Sequence, residues 1–276
     1  MKLLKTGSLA VVAASMLWAC NADKEEVLTA EERQNAFSES EISASYDDLD
    51  VIVDNAVEDM EAGGNRRVLA NDRYWMSECV QISPEQNNSF TITFNGECAD
   101  KRGNIRSGSV TITRNGRIWF GGSNVATLNN YSINGIKVEG TRTLTNTTEQ
   151  GGPVTFTKNV SGGKVTWQDG SEATRTVNHT LVWNRTSQVM TDSYEVTGTA
   201  TGVTRNNIAY QNTIADKLVY PVSCLYSGNN LPVAGNLVVK LTDMDAINLN
   251  FGTDACDKLV TVSIGERSQT IDLAKK

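Results

Sequence analysis

The sequence predicts a mainly β fold, an antiparallel meander forming a sandwich or an open barrel-like sheet, preceded by one amphipathic helix. Three observations predict it. After Arg66 the chain runs in alternating strings such as Val110-Thr111-Ile112-Thr113, Ile136-Lys137-Val138-Glu139, Val165-Thr166-Trp167 and Leu237-Val238-Val239-Lys240-Leu241. That period of two is what a half-buried strand requires. The pairs Asn95-Gly96, Asn115-Gly116, Asn134-Gly135 and Asp169-Gly170 supply the positive backbone angles of tight reversals. Only four prolines interrupt the 276 residues. Turns at this spacing predict about ten or more strands. Periodicity does not choose between a sandwich and an open sheet.

The first element, residues 1–19, reads as a signal peptide. Lys2 and Lys5 form a short positive region, and Leu9 to Trp18 form an apolar run of the length expected for a signal-peptide core. The run is shorter than the about 20 apolar residues a membrane-spanning helix needs. Leu17-Trp18-Ala19-Cys20 resembles the bacterial lipobox, in which the cysteine is lipidated and becomes the first mature residue. That resemblance implies a multiply acylated Cys20, and two or more chains hold lastingly because each buried methylene adds about 0.8 kcal/mol. The membrane, reached through that lipid, is the partner this end of the chain implies. Asn21-Ala22-Asp23-Lys24-Glu25-Glu26 is similar to the surface-export signal of Bacteroidetes lipoproteins, which implies an outer-membrane location facing the cell surface, with the periplasmic face as the alternative.

Residues 20–44 read as an acidic tether. Between residues 21 and 61 there are 14 acids against Lys24 and Arg33, whereas from residue 62 onward 18 acids face 21 bases. Such asymmetry marks an acidic segment joined to a separate body. The nearly neutral body lacks the concentrated basic surface that nucleic-acid binding needs. The acidic segment reads as a solvated spacer that keeps the body off anionic headgroups.

Thr29-Ala30-Glu31-Glu32 and Ser45-Tyr46-Asp47-Asp48 both have the form of a capping box. The second precedes the better pattern, so a helix is expected over 45–63. Tyr46, Leu49, Ile52, Val53, Ala56, Val57 and Met60 recur at helical spacing, Asp48, Asp54, Asn55, Glu58 and Asp59 fall largely on the other side, and Gly63-Gly64 would end it. The apolar stripe is expected to pack on the β domain of residues 64–276.

Without Cys20, four cysteines remain: Cys79, Cys98, Cys224 and Cys256. An even number in an exported chain suggests disulfides. Three connectivities are open, and proximity favours Cys79 with Cys98 and Cys224 with Cys256, one clasp at each end of the body. Ile92-Thr93-Phe94-Asn95-Gly96-Glu97-Cys98 echoes Leu249-Asn250-Phe251-Gly252-Thr253-Asp254-Ala255-Cys256, as two similarly stapled edges of one domain would.

These features, with Asn130 to Thr143, Thr197 to Asn206 and Phe251 to Asp257, resemble a family of Bacteroidetes outer-membrane or surface lipoproteins with an all-β body. The resemblance spans most of the mature chain. It implies the fold and the address without an established activity.

Catalysis usually leaves a base, a nucleophile or a metal cluster in recognisable company. His179 is the only histidine, on one strand face with Val177, Leu181 and Trp183, and no Gly-x-Ser-x-Gly elbow accompanies it. It reads as a packed residue. Asp169, Glu172, Glu139, Glu195, Asp243 and Asp245 could supply the two carboxylates of a glycosidase, though most fall in turns or on the polar alternation. No cofactor or metal is expected, since one histidine and dispersed cysteines do not make a zinc site. Trp119 reads as core, and Trp167 and Tyr131 are the candidates for ligand stacking. The expectation is a non-enzymatic surface module binding a glycan, a protein or another partner, or serving the envelope structurally. The alternatives are a carrier of a lipid or hydrophobic ligand, which an apolar cavity would favour, and a carbohydrate-active enzyme.

Overall fold

The computed structural model describes residues 29–62, 74–227, 229, 231–253 and 255–273. The signal peptide, Cys20, the start of the acidic segment and Gly63-Gly64 lie outside the described residues. One helix, α1 (Ala30–Ala62), precedes a single antiparallel meander of 13 strands. In order these are β1 (Val80–Ile82), β2 (Ser89–Ala99), β3 (Ile105–Asn115), β4 (Ser123–Ile133), β5 (Ile136–Asn146), β6 (Val154–Thr166) and β7 (Glu172–Asn184). They continue as β8 (Ser193–Val203), β9 (Ala209–Pro221), β10 (Ala234–Leu241), β11 (Ile247–Thr253), β12 (Leu259–Ile264) and β13 (Arg267–Asp272), with a short helix α2 (Val222–Tyr226) between β9 and β10. Each strand pairs with its neighbours in sequence, and β1 and β13 do not meet. The sheet is therefore open, neither a sandwich nor a closed barrel.

Bulges bend it. Register shifts interrupt the pairings β2/β3, β3/β4, β4/β5, β5/β6, β6/β7, β8/β9, β9/β10 and β10/β11. Each extra residue kinks its strand and increases the local twist. Asn134 and Gly135, at φ 51° and 77°, form the expected two-residue hairpin between β4 and β5. Asn95-Gly96 does not reverse the chain. It lies inside β2, where Gly96 at φ 66° belongs to the bulge between Phe94 and Cys98. A residue pair that tolerates positive φ serves a bulge as readily as a turn, and periodicity does not separate the two.

Helix α1 begins 15 residues earlier than the better periodic pattern, at the first of the two capping boxes. Thr29 Oγ1 accepts from the Glu32 amide at 3.1 Å, and the Glu32 carboxylate accepts from the Thr29 amide at 2.7 Å. Ser45 lies in mid-helix, so its capping pattern is not used as a cap. Residues 30–44 of the acidic segment are thus helical and continuous with the helix expected over 45–63.

The stripe Ile42, Tyr46, Leu49, Ile52, Val53, Ala56 and Val57 is buried on the inner sheet face, against Phe90, Ile92, Val110, Ile112, Val138 and Val160. This is the packing expected of the amphipathic stripe. A second cluster, Val196, Ile214, Leu218, Val239, Phe251, Val260 and Val262 among others, covers β8–β12 and, among the described residues, contains none from α1.

Both disulfides are formed: Cys79–Cys98 ties the start of β1 to β2, and Cys224–Cys256 ties α2 to the β11–β12 connection. The second staple does not sit on the outermost strand, as the echo of the two cysteine segments suggested. It joins two loops at the same end of the sheet.

Candidate functional site

The sheet is wider than the helix that lies on it, and this mismatch creates the site. One flank of α1, carrying Asp47, Asp50, Val51, Asp54 and Glu58, faces the inner side of β6–β13 across a cavity of about 1510 Å³. Alternation places the wall. Along β7 the inward positions are Arg175, Val177, His179, Leu181 and Trp183, along β9 they are Asn212, Ile214, Leu218 and Tyr220, and Leu237, Leu249, Phe251, Val260 and Val262 continue the surface through β10–β12. The outward positions between them are Thr176, Asn178, Thr180, Gln211 and Thr213. The alternation, interrupted at the β8/β9 bulge, therefore makes one face polar and the other a largely apolar trough.

The aromatic residues gather at one end. Trp119 meets Trp183 with ring centroids 5.0 Å apart and Phe156 at 5.7 Å, and Trp183 stacks on Tyr194 at 5.6 Å. Such arrangements add about 0.5–1.5 kcal/mol per pair beyond area burial. Trp119 is thus only partly core, since its indole also lines the trough beside Phe120, which is 76% exposed. The loops bearing Gly151, Val189, Leu225 and Leu231 surround the same end.

The helix flank is held by ion pairs. Lys158 of β6 binds Asp50 at 2.5 Å, and Arg142 of β5 binds Asp50 at 2.8 Å and Asp54 at 2.6 Å. Nearer the β2–β3 turn, Arg106 is wholly buried between Asp48 at 2.7 Å and Asp100 at 2.5 Å, while the Tyr74 hydroxyl donates to Asp48 at 2.9 Å. At the other end Arg114 binds Glu61 at 3.2 Å and Glu85 at 2.6 Å. The polar side of the helix expected over 45–63 is therefore not simply solvated, because the body supplies buried cations to meet Asp48, Asp50, Asp54 and Glu61.

The polar lining of the trough includes the acids of α1 and, on the sheet, Lys158, Arg175 and His179. Burial opposes the charge of Asp50, yet Lys158 and Arg142 hold its carboxyl below the usual carboxylate range. His179 is pushed down to about 3, first by burial and then by the Lys158 and Arg175 charges, with Asp50 acting the other way. It is a neutral imidazole at any physiological pH.

The two residues expected to stack on a ligand do neither. Tyr131 is 0% exposed, sealed in the core with its ring 5.8 Å from Phe94, and Trp167 is 8% exposed beneath the Arg205 guanidinium at 4.6 Å. Tyr131 points inward because its alternation on β4 matches the helix-facing side, and Trp167 is covered because the β6–β7 turn folds back through the Asp169–Arg205 pair. None of the six carboxylates considered for glycoside cleavage lines the trough. Glu139 pairs with Lys137 and Lys164, Glu172 with Lys164, Asp169 with Arg205 and Glu195 with Lys217.

The lining residues were half legible in sequence. His179, Leu181 and Trp183 were placed on one strand face, but nothing local distinguishes a face that meets a helix from one that meets a cavity. Among the described residues there is no group of three or more His, Cys, Asp or Glu able to hold a metal, and no helix is long and apolar enough to cross a membrane. Comparison with protein-family models, with curated proteins and with solved structures finds no match, so any reading of the site rests on these residues alone.

Proposed function

We propose that this chain is a lipid-anchored envelope lipoprotein, non-enzymatic, whose β body binds a hydrophobic, acyl-chain ligand in the trough. The observation that carries the reading is the open apolar cavity of about 1510 Å³ beside the helix. A sandwich of the same strands would have buried those side chains against a second sheet and left no such space. Pockets for drug-sized ligands commonly measure about 300–1,000 Å³, mostly apolar with a few placed polar groups. A larger volume walled by Leu181, Val196, Ile214, Leu237, Leu249 and Phe251 suits a long chain of methylenes. Burying such a chain releases about 0.8 kcal/mol per methylene, so transfer from water needs no further specific contact. Lipid on Cys20 would keep the trough near a source of acyl chains, with the Lys24-Glu25-Glu26 segment directing the body outward.

The test uses the full chain carrying Cys20→Ser, which has no acyl group of its own. A fluorescent polyunsaturated fatty acid should brighten on binding and be displaced by palmitate. Leu237→Arg with Leu249→Arg should lower that affinity at least tenfold while circular dichroism and both disulfides are retained. Absence of any fluorescence change in the parent chain would falsify the trough as a lipid site. The address is checked separately, by labelled palmitate incorporation at Cys20 and by protease shaving of intact cells.

A further inference from the structure

The floor of the trough is wider than one acyl chain. Across β9–β12 the pairings set Ile214, Leu237, Leu249 and Val262 directly opposite one another, one residue from each strand, and all four line the cavity. Neighbouring strands lie about 4.8 Å apart, so this apolar rank is about 14 Å across. Leu181, Val196 and Leu218 form a second rank across β7–β9. The charges that line the cavity from the helix and the strands stand outside the first rank: the acids of α1, Lys158 on β6, Arg175 on β7 and Asp272 on β13. Carbon atoms in contact are about 4 Å apart, so a single chain laid along one strand covers that strand and its flanks and leaves the rest of the rank to water. Leu237 and Leu249, at the centre of the rank, are only partly buried by the protein itself. Volume points the same way. A methylene fills roughly the 30 Å³ that a liquid water does, so a palmitoyl chain takes roughly 480 Å³. The cavity, at about 1510 Å³, is about three times that size.

We infer that the cargo is a lipid with two or more acyl chains, of the diacylglycerol class, its chains side by side on β9–β12, and not a single fatty acid. This inference rests on the acyl-chain reading of the trough and narrows it. One chain would leave the remaining Leu and Val side chains of the floor in contact with water, whereas each further chain buries more methylene and more wall at once. A second chain joined to the first through glycerol arrives at a high effective concentration, so a two-chain lipid outcompetes two separate acids. The chains alone carry this selection, and an uncharged diacylglycerol suffices as cargo.

Native mass spectrometry of the full Cys20→Ser chain counts the bound lipids directly. Palmitate should saturate at two or three copies per protein and dipalmitoylglycerol at one, and that one copy should displace at least two palmitates. Dipalmitoylglycerol should also bind at least tenfold tighter than monopalmitoylglycerol. Leu249→Trp places an indole in the middle of the rank. It should remove one palmitate from the count and weaken dipalmitoylglycerol at least tenfold, while a remaining palmitate binds within twofold of its parent affinity, with circular dichroism and both disulfides checking the fold. If that variant does not fold, the counts on the parent chain decide alone. Saturation by one palmitate, with no gain from monopalmitoylglycerol to dipalmitoylglycerol, would overturn the two-chain cargo and leave the acyl-chain reading standing. Failure of every lipid to bind would overturn both.

Discussion

At Arg106 and Arg142 two guanidinium groups are removed from water almost completely, which a folded chain sustains only where carboxylates replace the lost hydration. Arg106 has Asp48 and Asp100, and Arg142 has Asp50 and Asp54 with the Asn124 side chain accepting at 2.7 Å. Asp48→Ala should therefore destabilise by about 3–5 kcal/mol in urea unfolding, the cost of leaving a buried charge short of a partner. A loss below about 1 kcal/mol would show that Asp100 alone suffices. Acid should weaken the fold in a defined window. His179 is held neutral, with its pKa lowered to about 3 from an unfolded value of 6.5, so between those values the unfolded chain binds more protons. Stability present above that window is lost as pH falls through it, and Asp50, also held low, adds a loss of the same sign at more acid pH. The urea midpoint should fall as pH drops below neutrality, and His179→Gln should flatten the first part of that fall. Phe120 makes the contrasting case. With 76% of its surface exposed, Phe120→Ser should change stability by no more than about 0.5 kcal/mol.

Helix α1 is defined by its start and by one notch. Thr29→Ala removes the hydroxyl half of the capping box and should cost about 1 kcal/mol, read as fraying of the first turn in amide exchange. The capping pattern at Ser45 looks equally good in sequence but stands inside a helix already under way, and its Asp48 is taken by Arg106. Local spacing identifies a competent cap without saying whether an earlier one is used. The notch holds Tyr46. Its hydroxyl donates to the Glu139 carbonyl at 2.7 Å, over Gly140 at φ 122° and Gly163. A Cβ on Gly163 would lie 2.7 Å from that hydroxyl and 2.3 Å from the Arg175 carbonyl oxygen. Gly163→Val should thus lift the helix from β5 and β6 and lower the thermal midpoint, whereas Val at Gly162, which has open space around its Cβ position, meets only the backbone strain of φ 59°. The Cys79–Cys98 staple closes a loop of 19 residues, worth about 3 kcal/mol in the chain-entropy model. It also secures the three-residue edge strand β1, whose short ladder could not hold itself.

Over the whole molecule the two hydrophobic clusters divide the sheet into a half with a helix on it and a half with a trough. Amide exchange should accordingly be slower in β2–β7 than in β9–β12, and an acyl ligand should slow the second half alone. Uniform protection, or ligand protection confined to the first half, would count against this division. The sequence by itself determined the antiparallel class, the strand-rich body, the helix stripe from Tyr46 to Val57 and the preferred cysteine pairs, because period, turn chemistry and spacing are local properties. It also placed His179, Leu181 and Trp183 on one face. Only the tertiary structure decided that the sheet stays open, that the acids of α1 are neutralised by Arg106, Arg142 and Lys158, and that the face of β7 looks into a cavity while that of β4, with Tyr131, looks into the core. Those outcomes depend on what lies opposite each face, and an alternating strand reads the same whether the partner is a helix, a second sheet or empty space.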